Sequence, residues 1–141
     1  MQNWQAITCI TDSPKCLVYR LFKKEFVFEK YLNILPGNLC KILCKYRTTN
    51  HMLCVHIEKG RHLHIDRNQR TCHRSVRQSL GDEFYYLFEC RFLTESRKKF
   101  IDNHFTSHAY IFTLNRLMNS NNYHSLLRLA LFCKTIISNF K

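Results

Sequence analysis

The residues best equipped for chemistry lie in one stretch, RNQRTCHRSVRQSLGDEFYYLFEC, residues 67–90. Cys72 opens it and Cys90 closes it, with Gly81-Asp82-Glu83 leading into an aromatic run between them. A thiolate can bind metal or act as a nucleophile. Two thiolates alone leave a tetrahedral metal site open and weak. Histidines stand nearby at positions 62, 64 and 73. His73 is adjacent to Cys72, which is awkward for two ligands of one ion, and a loop histidine would need a change of register. No glycine turn, helix start or third orienting group accompanies any Cys–His pair, so nucleophilic catalysis is not expected.

Acid chemistry has no better support. Two-metal chemistry needs paired carboxylates. Asp82-Glu83 is the only adjacent acidic pair, and helix capping explains it: Asp82 can N-cap the aromatic run and Glu83 favours a first turn. Other acids, such as Asp102, are scattered. The expectation is a non-enzyme with no catalytic residues.

Basic residues are far more frequent. The chain has 22 Lys+Arg against 10 Asp+Glu, a formal net charge of +12. That balance favours a polyanionic partner. Lys41, Lys45, Arg47, Lys59, Arg61, Arg67, Arg70, Arg74 and Arg77 are dense, with His51, His62, His64, His73 and Tyr46 interleaved as groups that could stack on bases. The expected nucleic-acid-binding set is Lys41, Lys45, Arg47, His51, Arg61, Arg67, Arg70, Arg74 and Arg77, tracking phosphates without sequence preference. Arg47, Asn50 and His51 could contact a backbone phosphate; equally, Asn50 and His51 could end a helix and satisfy its last carbonyls.

These groups must be held by helices. The chain is 141 residues long and 45% hydrophobic, with three glycines and two prolines, enough for one core and one domain. Residues 1–13 are an irregular lead-in; 14–141 form a single helical domain. Ser13-Pro14 resembles a helix start, and one helix is expected through CLVYRLFKKEFVFEKYLNIL until Pro36-Gly37-Asn38 breaks it. LCKILCKYR places Leu39, Ile42, Leu43 and Tyr46 at helical spacing. Residues 50–70 are a long basic loop. Helices follow through the aromatic run to Cys90 and over 92–103, where Glu95 and Lys99 are an i,i+4 pair. Phe112, Leu114, Leu117 and Met118 mark a short helix stopped at 119–122. The last helix, 123–140, carries Leu126, Leu127, Ala130, Cys133, Ile136, Ile137 and Phe140 on one broad face. The fold class is all-α.

Eight cysteines would suit a disulfide scaffold in a secreted chain. The start, MQNWQAITCITDSPK, has no basic region followed by an apolar one. Cys40, Cys44 and Cys133 sit in apolar helical patterns, where a thiol behaves as a small hydrophobe. Reduced cysteines and an intracellular location, nuclear or cytoplasmic, are expected. The segment LLRLALFCKTII is too short to span a bilayer and carries Arg128 and Lys134.

The order LCKYRTTNH, IEKGR, IDRNQRTC, GDEFYYLFEC and a leucine-rich closing helix resembles the C-terminal region of reverse transcriptases from LINE-like non-LTR retrotransposons of animals. The resemblance covers roughly residues 14–140. It implies a Cys-Cys-His-Cys zinc knuckle that holds nucleic acid. The first and last ligands match Cys72 and Cys90; the second falls on Ser75 and the histidine on Tyr85. A hydroxyl and a phenol are poor zinc ligands. The expectation is a degenerate knuckle without zinc or any other cofactor, in which Cys72 and Cys90 are small core residues. The palm motif and endonuclease of that family are absent. The implied function is non-specific DNA or RNA binding by a detached, non-enzymatic fragment, or a remnant without selected function. The competing expectation is a helical protein-interaction module whose basic face meets acidic protein or anionic lipid.

Overall fold

A computed structural model describes residues 18–23, 25, 27–48, 51 and 66–140. These residues are mostly helical and contain no strand, only one antiparallel bridge between Thr71 and Leu80. The expected all-α class is what the chain adopts.

Two helices form the centre. α3, Gly37–Arg47, follows α1, Tyr19–Phe22, and α2, Tyr31–Ile34. α7, Tyr123–Asn139, packs along α3. The helical spacing of Leu39, Leu43 and Tyr46 becomes the buried face of α3, and Ile42 is half-buried. On α7, Leu126, Ala130, Cys133 and Ile136 are buried, with Phe140 buried just beyond the helix; Leu127 and Ile137 are half-buried. Asn122 caps α7, its Oδ1 accepting from the Ser125 amide at 3.1 Å. α4, Thr94–Phe100, packs on α7, and α6, Ile111–Met118, bridges α1, α7 and the short α5, Asn103–Thr106.

The single helix expected through residue 35 is two short ones. The Tyr19 hydroxyl donates to Glu29 Oε1 at 2.6 Å. In a continuous helix those residues would stand about 15 Å apart along the axis. The Lys23 ammonium adds contacts to the Val27 carbonyl at 2.6 Å and to Glu29 at 3.1 Å. Tertiary bonds to one carboxylate therefore override weak local propensity in a stretch rich in aromatic and β-branched residues. The expected helix start at Ser13-Pro14 lies outside the described residues, as does most of the 50–70 loop.

The helix expected over 92–103 also divides. A 3-10 turn, Arg91–Leu93, leads into α4, which ends at Phe100; Ile101 is extended and α5 begins at Asn103. Arg128 holds this break, donating to Asp102 Oδ1 at 2.5 Å and to the Lys99 carbonyl at 3.0 Å. Glu95 pairs with Lys98 at 3.0 Å, not with Lys99. Both groups are exposed, so the pair adds little. Phe112, one of the residues that mark the short helix, is 73% exposed. The buried stripe of α6 is Thr113, Leu114, Leu117 and Met118, which turns Phe112 and Arg116, one helical turn apart, toward solvent.

Candidate nucleic-acid interface

Residues 70–81 fold back on themselves. The Cys72 amide donates to the Ser79 carbonyl at 2.9 Å and the Gly81 amide to the Arg70 carbonyl at 3.1 Å. Inside this hairpin the Ser75 amide donates to the Cys72 carbonyl at 2.9 Å, and Ser75 Oγ accepts from the Ser79 amide at 3.2 Å. Gln78 takes φ 51°, in the left-handed region. The tight turn throws Arg74, Val76 and Arg77 outward, and Val76 is wholly exposed.

The other half of the site is the aromatic run. Asp82 caps it as expected, its Oδ1 accepting from the Tyr85 amide at 2.9 Å. The run is not α-helical to its end: Tyr85–Glu89 is a π-helical turn, closed by the Cys90 amide reaching the Tyr85 carbonyl at 2.8 Å. Buried Arg97 gathers the carbonyls at that end. Its Nε donates to Leu87 at 2.6 Å, and one terminal nitrogen reaches Cys90 at 2.9 Å and Tyr86 at 3.3 Å. The wide turn sets four successive side chains, Tyr85–Phe88, into the core.

These two pieces bring Cys72, Ser75, Tyr85 and Cys90 together. The Tyr85 hydroxyl is within hydrogen-bonding reach of Ser75 and Cys90, and Cys72 and Cys90 lie close enough to feel one another's charge. Both thiols are buried and free. Burial pushes the Tyr85 phenol up to about 12 and also raises the Cys90 thiol. The set is a phenol held protonated by burial, a serine hydroxyl and two cysteines, and the first two are poor donors for tetrahedral zinc. Among the described residues no three His, Cys, Asp or Glu side chains gather as a metal would require. The His73 ring lies 5.9 Å from the Phe140 ring.

Arg74 lies with its guanidinium carbon 3.9 Å over the half-exposed Phe92 ring and 5.4 Å from Phe140. Stacking fixes the guanidinium plane and leaves its N–H edges to donate. Beside it a cleft of about 450 Å³ is bordered by Arg74, Arg77 and Arg91. Sequence spacing did not single out Arg91 or Phe92; their position directly after Cys90 is the only clue.

The remaining expected contacts divide. Lys41 and Lys45 are exposed one turn apart on α3; Arg67 and Arg70 are half-buried. Arg47 is not on the basic face but in the core, 2% exposed. His51 is buried too, its Nε2 2.7 Å from Glu83 Oε1. Tyr46 is fully buried, its hydroxyl donating to the Glu83 carbonyl at 2.7 Å, so it cannot stack on a base. Arg61 and Asn50 lie outside the described residues. No helix among the described residues is long and apolar enough to cross a membrane. No protein-family model, curated protein or solved structure matches this chain.

Proposed function

We propose that the chain is a non-enzymatic nucleic-acid-binding domain, similar to the C-terminal region of a LINE-like reverse transcriptase in which packing has replaced zinc. The observation that carries this reading is the outward turn of Arg74, Val76 and Arg77, with Arg91 beside it and Arg74 stacked on the half-exposed Phe92. Arginines that track phosphates beside exposed apolar and aromatic groups are the ingredients of sequence-tolerant strand binding. Lys41 and Lys45 add exposed charge. Fluorescence anisotropy with a labelled oligonucleotide at low and moderate salt tests it. Binding that weakens with salt supports the reading, and no binding at low salt overturns it.

Three consecutive exposed apolar side chains, Tyr110, Ile111 and Phe112, favour a second reading as a helical protein-interaction module. Nucleic-acid binding that is absent at low salt would leave that reading standing.

A further inference from the structure

The cleft beside the turn is more particular than a basic surface. Its volume of about 450 Å³ is bounded by Arg74, Ser75, Arg77, Tyr85, Glu89 and Arg91. The arginines come from two stretches of chain, the hairpin and the turn after Cys90, and they converge only because the Tyr85–Glu89 turn packs against the hairpin. The volume is that of a small-molecule site. It has room for one nucleotide.

Glu89 is the unexpected member. It is exposed, and among the described residues it forms no ion pair with the three arginines around it. A carboxylate in a phosphate cleft weakens a purely electrostatic grip. It gains a use where the ligand also brings N–H donors. The Watson–Crick edge of an unpaired base carries such donors, and in a duplex that edge is occupied.

We infer that this cleft seats one unpaired nucleotide, with its phosphate on Arg74, Arg77 and Arg91 and its base edge donating to Glu89. The inference rests on the nucleic-acid reading above and adds a preference for single strands. Arg74 is pre-oriented by its stack on Phe92, so it gives a planar fork at small entropic cost. Arg77 and Arg91 are exposed and line the same cleft, where both can reach the phosphate. The wholly exposed Val76 offers an apolar contact to the neighbouring base or sugar.

The test compares a labelled single-stranded oligonucleotide with its own duplex on the full chain. The single strand is expected to bind about tenfold more tightly, the effect of one well-seated base. The double variant Arg77→Ala with Arg91→Ala should bring the ratio of the two affinities toward one. Glu89→Ala should do the same while raising duplex affinity, because it removes a like charge for phosphate. Arg116→Ala, on the exposed side of α6, should leave the ratio unchanged. In a second arm on the unaltered protein, a nucleoside 5′-monophosphate should displace the single strand, and inorganic phosphate at equal ionic strength should not. Equal affinity for both forms, or a ratio indifferent to Glu89→Ala and to the arginine pair, overturns the cleft assignment and leaves salt-dependent binding in place. No binding of either form at low salt removes both readings.

Discussion

Arg47 and Glu29 form an ion pair through a single oxygen: Nε and one terminal nitrogen of Arg47 each lie 3.2 Å from Glu29 Oε2. The arginine also donates to the Met118 carbonyl, and its guanidinium carbon sits 4.5 Å from the Phe22 ring and 4.8 Å from the Tyr31 ring. One cation thus ties α3 to α1, α2 and the end of α6. The side chain that composition places on the surface is the polar pin of the core. Removing Glu29 would leave that charge buried and unpaired, so Glu29→Gln is expected to cost about 3 kcal/mol at neutral pH. Urea unfolding checks it; a loss below about 1 kcal/mol, the ceiling for a surface pair, would mean the pair behaves as a solvated one.

Acid should act through the same carboxylate. Burial pulls Glu29 upward, but Arg47, the Tyr19 hydroxyl and Lys23 together outweigh it and hold the group below its ordinary 4.5. A depressed carboxylate contributes stability above its unfolded pKa and loses it as pH falls through the folded one. Asp82 works in the opposite sense: burial, chiefly, raises it above 3.8, so its contribution is present at low pH and lost as pH rises through the folded value. Below pH 4.5 the unaltered protein should therefore lose stability more steeply than Glu29→Gln, and Asp82→Asn should not flatten that acid limb. Urea midpoints at several pH values from neutral to strongly acid decide this. Parallel curves for Glu29→Gln and the unaltered protein would contradict it.

Arg97 has a second structural duty. It satisfies the carbonyls of Tyr86, Leu87 and Cys90 where the π-helical turn ends. Burial lowers its own pKa, which measures how far the guanidinium has been taken from water. Arg97→Met fills the space but strands the carbonyls, and should cost about 3 kcal/mol. Arg97→Lys should recover only part, because one ammonium lacks the planar fork that spans them. Chemical denaturation of both variants separates lost packing from lost bonding. Equal stability of Arg97→Met and the unaltered protein would show that water serves those carbonyls.

Helical periodicity located α3, α6 and α7, because each buries a stripe that repeats with the helix turn. Residue type located the Asp82 cap, whose acceptor acts within three residues. Periodicity could not show that residues 19–35 break, because the break is held by Tyr19 and Lys23 reaching Glu29. Nor could it separate Arg47 from Lys45: both are basic residues on one helix, and only the position of Glu29 and the Met118 carbonyl draws one of them inward. The π-helical turn and the convergence of Arg91 with Arg74 are products of tertiary packing and leave no local period.

Nucleic-acid affinity should be micromolar at best and governed by salt. With about four phosphates neutralised, log K should fall against log salt with a slope of roughly −3 to −4. Replacing Arg77 or Lys41, each exposed, should reduce the magnitude of that slope by about one apiece. Replacing Arg47 should leave the slope alone in whatever fraction stays folded, since the side chain is buried. Titrations at four salt concentrations measure this, and a slope near zero would sink the electrostatic account.

The degenerate knuckle can be tested by rebuilding it. As it stands, the protein should purify without stoichiometric zinc, and a chelator should barely move its thermal midpoint. Ser75 and Tyr85 already face Cys72 and Cys90, through a turn closed by the Ser75 amide on the Cys72 carbonyl at 2.9 Å and by the π-helical turn that returns Cys90. The double change Ser75→Cys with Tyr85→His puts a thiol and an imidazole at those places. A completed set of four donors binds zinc with an apparent free energy of about 10 kcal/mol or more, part of it spent here on pulling in ligands now spaced for packing. Each single change should recover little, because three donors leave the tetrahedron open. Zinc content by elemental analysis, measured for the unaltered protein, both singles and the double, decides the matter. One zinc per chain in the unaltered protein would mean that other ligands, His73 or His64 first among them, serve the site. A folded double variant that takes up no zinc would mean that the four positions are neighbours without sharing a tetrahedral centre.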